Sequence, residues 1–198
     1  MTAERIRAAY ERVRRDVGPG VTVVAATKYV AFDDMPLLAD AGIGVVGENR
    51  AQDLERKHAA YGAFFRWHFI GHLQSNKARR VGELCDLVHS VDSDSAARRL
   101  ATPMLLEVNL TGESSKSGVT PADVAGYLER YPQICGLMTM PPQASTPEDS
   151  RPWFRQLRLL AEGTGLEQLS MGTSQDWQVA VDEGATLIRL GSTLFQDA

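Results

Sequence analysis

Eight short apolar runs, each but the last followed by a stretch with helical spacing, constrain this chain more than any other feature. The runs are Val21 to Lys28, Gly44 to Asn49, Trp67 to Leu73, Leu87 to Asp92, Met104 to Leu110, Ile134 to Met140, Gln168 to Ser174 and Thr186 to Ser192. Between them lie DDMPLLADAG, RAQDLERKHAAYG, SNKARRVGEL, SDSAARRLA, TPADVAGYLERY, TPEDSRPWFRQLRLLAEGTG and SQDWQVAVDEGA. Several of these open on Ser, Thr or Asp and close on Gly, as capped helices do. Strands alternating with helices imply a parallel sheet. Eight such units within 198 residues favour an α/β fold of one closed (β/α)₈ TIM barrel over an open doubly wound sheet. A single domain over residues 1–198 is the expectation.

The barrel is compact, since about 250 residues is typical. The crossover SDSAARRLA between the fourth and fifth runs holds two helical turns at most, and only six residues follow Ser192. An extra amphipathic helix over residues 2–16 is therefore predicted to cover the gap between the last strand and the first. The segment PPQASTPEDSRP, with four prolines, reads as a surface loop.

Composition excludes several classes. A net charge of -4 leaves no basic footprint for nucleic acid, and no apolar run reaches the roughly 18 to 20 residues of a membrane span. The start MTAERIRAAYERVRRDVG lacks the apolar core of a secretory signal, so a cytoplasmic protein is expected. Cys85 and Cys135 have no metal-type spacing and read as buried thiols.

Active sites in such barrels lie at the C-terminal ends of the strands. Collected there are Lys28, Glu48, Asn49, His72, Asp92, Asn109, Met138 to Met140, Ser174 and Arg189 to Ser192. Any one of these could cap a loop or close an ion pair, but a structural plug would not need so many. Lys28 ends VTVVAATK, the pattern of a strand buried on both faces. Its plain reading is a snorkelling or ion-paired cation, and its chemical reading is a desolvated amine that forms a Schiff base with an aldehyde. LSMGTSQ at 169–175 places Gly172, Thr173 and Ser174 ahead of a helix expected near Gln175, and RLGS at 189–192 adds a second Gly-hydroxyl pair. Each cluster alone reads as a helix cap. Together they fall after strands seven and eight, where barrels bind phosphate. A phosphorylated aldehyde between this cup and a strand-one lysine describes pyridoxal 5'-phosphate (PLP).

The motifs VVAATK (23–28), GENRAQ (47–52), WHFIGHLQSNKAR (67–79), SVDS (90–93), LLEVNLTGESSKSGV (105–119), GLMTM (136–140) and LSMGTSQDWQVAVDEGATLIRLGSTLF (169–195) run in order along nearly the whole chain. In these the chain resembles the pyridoxal phosphate homeostasis protein family, whose fold is similar to the N-terminal barrel of alanine racemase. The resemblance implies that Lys28 is the Schiff-base lysine, that Ser174, Gly191 and Ser192 hold the phosphate, that Arg189 faces the pyridine nitrogen, and that Asn49 and Met171 line the ring. It assigns no firm role to His72 and Asn76. Lys116 is either a solvated loop charge or a second lysine that accepts the aldehyde in transit. Thr173 stands where the family pattern has a methionine, and Trp177 where it has a smaller residue.

An arginine against the pyridine nitrogen disfavours its protonation and weakens the ring as an electron sink. Racemisation also needs an acid or base on each face of the substrate α-carbon. Tyr10, Tyr61, Tyr127 and Tyr131 fall on helical stretches, and Tyr29, which follows the lysine, has no proton-transfer role by resemblance. The expectation is a PLP carrier in intracellular vitamin B6 homeostasis without robust racemase activity, with apo-enzymes that receive PLP as the partners implied. The alternatives are a PLP-dependent racemase or related enzyme, and a Schiff-base aldolase-like barrel without PLP. With no second, dimer-forming domain, a monomer is expected.

Overall fold

The computed structural model describes residues 1–113 and 116–196. Ser114 and Ser115 of the motif LLEVNLTGESSKSGV, and Asp197 and Ala198 beyond the last strand, lie outside the described residues. Each apolar run holds one strand: β1 (Thr22–Ala26), β2 (Val45–Glu48), β3 (Arg66–Phe69), β4 (Leu87–Val91), β5 (Met104–Glu107), β6 (Ile134–Met138), β7 (Gln168–Thr173) and β8 (Leu187–Leu190). All neighbours are parallel, in sequence order, and β8 pairs with β1 from Thr22↔Leu187 to Ala25↔Leu190, so the sheet closes into the expected barrel. Closure removes every sheet edge and leaves both faces of each strand to be buried.

Strand alternation sorts the side chains into two cores. Outward-facing residues such as Trp67, Phe69, Leu106 and Ile188 pack with helix residues Ile6, Leu38, Leu54, Phe154 and Leu157. A smaller apolar group, Val24, Leu87, Leu105, Met138 and Leu187, fills the inside of the barrel. His68, His89, Ser170 and Arg189, all buried, thread through it.

The N-terminal helix, Ala3–Val17, is capped by Thr2, whose hydroxyl accepts from the Arg5 N–H. Ile6, Val13 and Val17 form its buried stripe. It packs against the helix Met35–Asp40 and the short helix Ser192–Phe195, and so covers the seam between β8 and β1 as the sequence predicts. Arg14 ties its last turn to the carbonyl of Val21 at 2.6 Å. The crossover between β4 and β5 is shorter than the two turns allowed, with one helical turn, Asp94–Ala97. Asp94 accepts there from Tyr131 Oη at 2.7 Å and pairs with Arg130 at 3.2 Å, which laces the short connection to the next one. Cys85 is buried and Cys135 half-buried, both as free thiols, and burial pushes Cys85 up to about 12. Among the described residues no helix is long and apolar enough to cross a membrane, and no acidic, His or Cys cluster could hold a metal ion.

Candidate functional site

The C-terminal ends of β1, β2, β7 and β8 surround a cavity of about 330 Å³ that gathers Lys28, Asn49, Ser174, Arg189, Gly191 and Ser192. Six of the seven residues singled out as cofactor-binding therefore meet at one mouth. Met171 does not. Its neighbour Ser170 turns into the barrel to meet Arg189 and His89, so alternation sends Met171 outward, where it is fully buried against the helices. Thr173, Gln175, Tyr29, Ile70 and Met140 complete the lining.

Lys28 corrects the expectation of a buried amine. β1 ends at Ala26, and Thr27–Tyr29 make a tight 3₁₀ turn that lifts Lys28 out to the mouth, where it is exposed. Its Nζ lies 4.6 Å from the centre of the Tyr29 ring, itself 81% exposed. The turn beneath it is rigid. Thr27 is buried and donates through Oγ1 to Glu48 Oε1 at 2.5 Å, while its carbonyl accepts from Lys57 Nζ at 2.8 Å. Lys57 is also 2.6 Å from Glu48 Oε1, so one buried ion pair holds the ends of β1 and β2 together. Lys57, absent from the sequence-based expectations, is the buried lysine of this chain.

Asn49 follows Glu48 directly, and its Oδ1 is buried without a hydrogen-bond partner. Such an orphan acceptor is costly unless something donates to it. The backbone at Asn49 is pressed by the segment just after β3: a Cβ on Gly71 would come within 2.0 Å of the Asn49 carbonyl oxygen, so only glycine lets the two segments approach.

Across the cavity, Ser174 Oγ accepts from the backbone N–H groups of Gly191 and Thr193, each at 3.2 Å. Two convergent backbone donors mark an anion-binding concavity. β8 stops at Leu190, and Ser192 opens a short helix rather than continuing the strand. The helix after β7 likewise starts at Trp177, not near Gln175, because Asp176 first closes a turn: its Oδ1 accepts from the Thr173 N–H at 2.8 Å and its Oδ2 from Ser150 at 2.7 Å. Gly172 (φ +89°) bends β7 into that turn, and a Cβ there would meet Ala180 at 2.5 Å. Trp177 itself is buried, on the outer side of the loop.

Arg189 is the interior cation. Its Nη1 donates to the Ser170 carbonyl and hydroxyl, and its Nη2 to the Thr139 carbonyl at 3.1 Å and to Met140 Sδ at 2.9 Å. Of five N–H donors, Nε–H alone has no partner among the described residues. Burial lowers Arg189 to about 10, with Glu107 and Asp176 opposing, so it stays charged at neutral pH. Burial and the Asp92 charge raise Glu107 to about 7 against Arg189 and His72.

The remaining candidates lie apart. His72 is exposed, 3.7 Å from Asp92, and lines a neighbouring groove with Lys77, while Asn76 is exposed. Lys116 Nζ is shielded from solvent, without a hydrogen bond among the described residues and 3.7 Å from Glu113, in a side cavity of about 230 Å³ that shares Met140 with the mouth.

The pyridoxal phosphate homeostasis protein of Aquifex aeolicus is 37% identical to this chain, over 97% of it and 93% of the relative. The protein of the same name from Pseudomonas aeruginosa is also 37% identical, over 98% and 91%. This chain belongs to the pyridoxal phosphate homeostasis protein family. Of solved structures, PipY of Synechococcus elongatus without PLP superposes with a TM-score of 0.89 at 35% identity, covering 96% of this chain and 99% of PipY. PipY with PLP bound gives 0.87 at 34%. A lysine/ornithine decarboxylase from Vibrio vulnificus, at 16% identity and a TM-score of 0.74, shares the fold alone. No family model matches the chain. The family's barrel is thus the one read from the eight runs, and its motifs GENRAQ, LSMGTSQ and RLGS carry Asn49, Ser174 and Arg189 to one mouth.

Proposed function

We propose that this chain binds PLP at the mouth cavity and acts in intracellular vitamin B6 homeostasis, holding PLP as a reversible Schiff base on Lys28. The observation that carries this reading is the convergence on one cavity of an amine, a guanidinium, an orphan amide oxygen and a Ser174 hydroxyl held by two backbone N–H groups. These donors match the group's parts. PLP supplies an aldehyde carbon, a phosphate and a ring with an acceptor nitrogen. Lys28 Nζ, once it sheds its proton, condenses with an aldehyde with loss of one water, and water reverses the step. Ser174, whose Oγ the Gly191 and Thr193 N–H groups hold and whose own proton is thereby free to donate, takes the phosphate with Ser192 and the Gly191 backbone beside it. Arg189 offers Nε–H to the ring nitrogen and, as a fixed cation, keeps a proton off it. The Asn49 amide borders the ring.

A carrier follows rather than a racemase. Proton transfer at an α-carbon needs groups on both faces, and Tyr29, the one tyrosine lining the cavity among the described residues, has its ring against the Lys28 amine at 4.6 Å. Apo-enzymes are the recipients this reading implies. Two measurements test it. Adding PLP to the purified protein should give a visible absorbance band that borohydride fixes as a phosphopyridoxyl group on Lys28, and Lys28→Ala should lose both. Labelling spread over surface lysines would sink the assignment. Alanine in deuterated water should show no α-hydrogen exchange above background with the loaded protein.

A further inference from the structure

Three buried side chains behind Arg189 have no role in the reading above. Ser170 Oγ, which accepts from Arg189 Nη1, lies 2.7 Å from His89 Nδ1, and His89 Nε2 lies 2.9 Å from His68 Nδ1. The line runs from β8 through β7 and across the barrel to β4 and β3. It ends at His68 Nε2, which has no partner among the described residues. His68 borders a second cavity of about 320 Å³ at the N-terminal ends of the strands.

The chain has a direction. A guanidinium only donates, so Ser170 Oγ must accept from Arg189. Ser170 is fully buried, and the acceptor within reach of its own proton is His89 Nδ1. His89 therefore carries its proton on Nε2 and passes it toward His68 Nδ1, which leaves the His68 proton on Nε2. Run the other way, the line would strand the Ser170 hydroxyl proton with no acceptor. Both rings are neutral at physiological pH: burial first and then the Arg66 charge, with Asp86 opposing, hold His68 down to about 4, and burial, His68 and Arg189 hold His89 well below its ordinary value.

We propose that Ser170, His89 and His68 are positioning residues for Arg189, a one-way hydrogen-bond relay that holds Nη1 while Thr139 and Met140 hold Nη2, and so leaves Nε–H as the donor for the cofactor ring. The inference rests on the reading that this cavity takes PLP. A merely structural polar core would leave the affinity for PLP and the bound ring unchanged.

The test combines long-range ¹H–¹⁵N correlation of the histidines in the unloaded protein with PLP titration, using PLP labelled with ¹⁵N at the pyridine nitrogen. In the wild type both histidines should be protonated at Nε2, and the ring nitrogen should show the shift of an unprotonated pyridine. Ser170→Ala should release the His89 tautomer, weaken PLP binding about ten-fold, as expected for one lost bond to a charged donor, and move the ring-nitrogen shift. His89→Gln, which can accept from Ser170 and donate to His68, should bind like the wild type, whereas His89→Leu should behave like Ser170→Ala. His89 protonated at Nδ1 in a wild type that binds PLP would overturn the relay alone, as would Ser170→Ala with unchanged affinity and shift. A wild type that takes up no PLP would overturn the reading of the cavity and this role with it.

Discussion

Lys57 shows how much of this site is decided one residue at a time. Its ammonium sits between Glu48 Oε1 and the Thr27 carbonyl, 3% exposed against a carboxylate that is 1% exposed. Removing one partner of such a pair leaves an uncompensated buried charge, which is far worse than removing both. Lys57→Met is expected to destabilise the protein by about 3 to 5 kcal/mol in urea unfolding, and adding Glu48→Gln should recover much of that. A double variant no more stable than the single one would mean the pair is not what holds the two strand ends. Nothing local in RAQDLERKHAAYG separates Lys57 from the exposed charges beside it, because its partners lie on two strand ends in other parts of the chain. Met171 escaped for a related reason. Consecutive strand residues face opposite ways, and Ser170, not Met171, is the one that finds partners inside.

At the scale of elements, the strands were legible because each is an apolar run bounded by capping and turn residues. Their ends were not. β1 stops where its pairing with β2 stops, at Ala26↔Gly47, and this register, not the composition of VTVVAATK, puts Lys28 on a turn and out in the mouth. Asp176 likewise delays the helix after β7 through bonds to Thr173 and Ser150, one of them to a residue far back in the chain. The N-terminal helix was readable from its stripe, and its packing on Met35–Asp40 and Ser192–Phe195 places it over the seam. Ile6, fully buried in that stripe, is the handle on this element. Ile6→Ala should lower stability by roughly 2 to 5 kcal/mol, the range for deleting a buried branched side chain, with the unfolding slope unchanged. A loss under about 0.5 kcal/mol would show that the seam is closed without the helix.

Over the whole molecule, the barrel buries titratable groups of opposite tendency along one axis, and their balance fixes how stability follows pH. His68 and His89 have lowered values, so the unfolded chain binds protons that the folded one refuses below about pH 6.5, and stability rises with pH up to that point. Glu107 is raised to about 7, so the folded chain keeps a proton that the unfolded one loses above about pH 4.5, and stability falls with pH until 7 is passed. Between 4.5 and 6.5 the two histidines raise stability with pH and Glu107 lowers it, which leaves a net rise. Beyond 6.5 Glu107 acts alone and the curve turns down, which places the maximum of the cofactor-free protein near pH 6.5. Glu107→Gln should steepen the rise below that point and replace the decline with a plateau. Urea-unfolding free energies at half-unit steps from pH 4.5 to 8, for the wild type and this variant, read both effects directly. A variant whose curve keeps the wild-type slope and decline would place the raised carboxyl elsewhere, and Glu107 would then enter the mouth of the barrel as an ordinary anion facing Arg189.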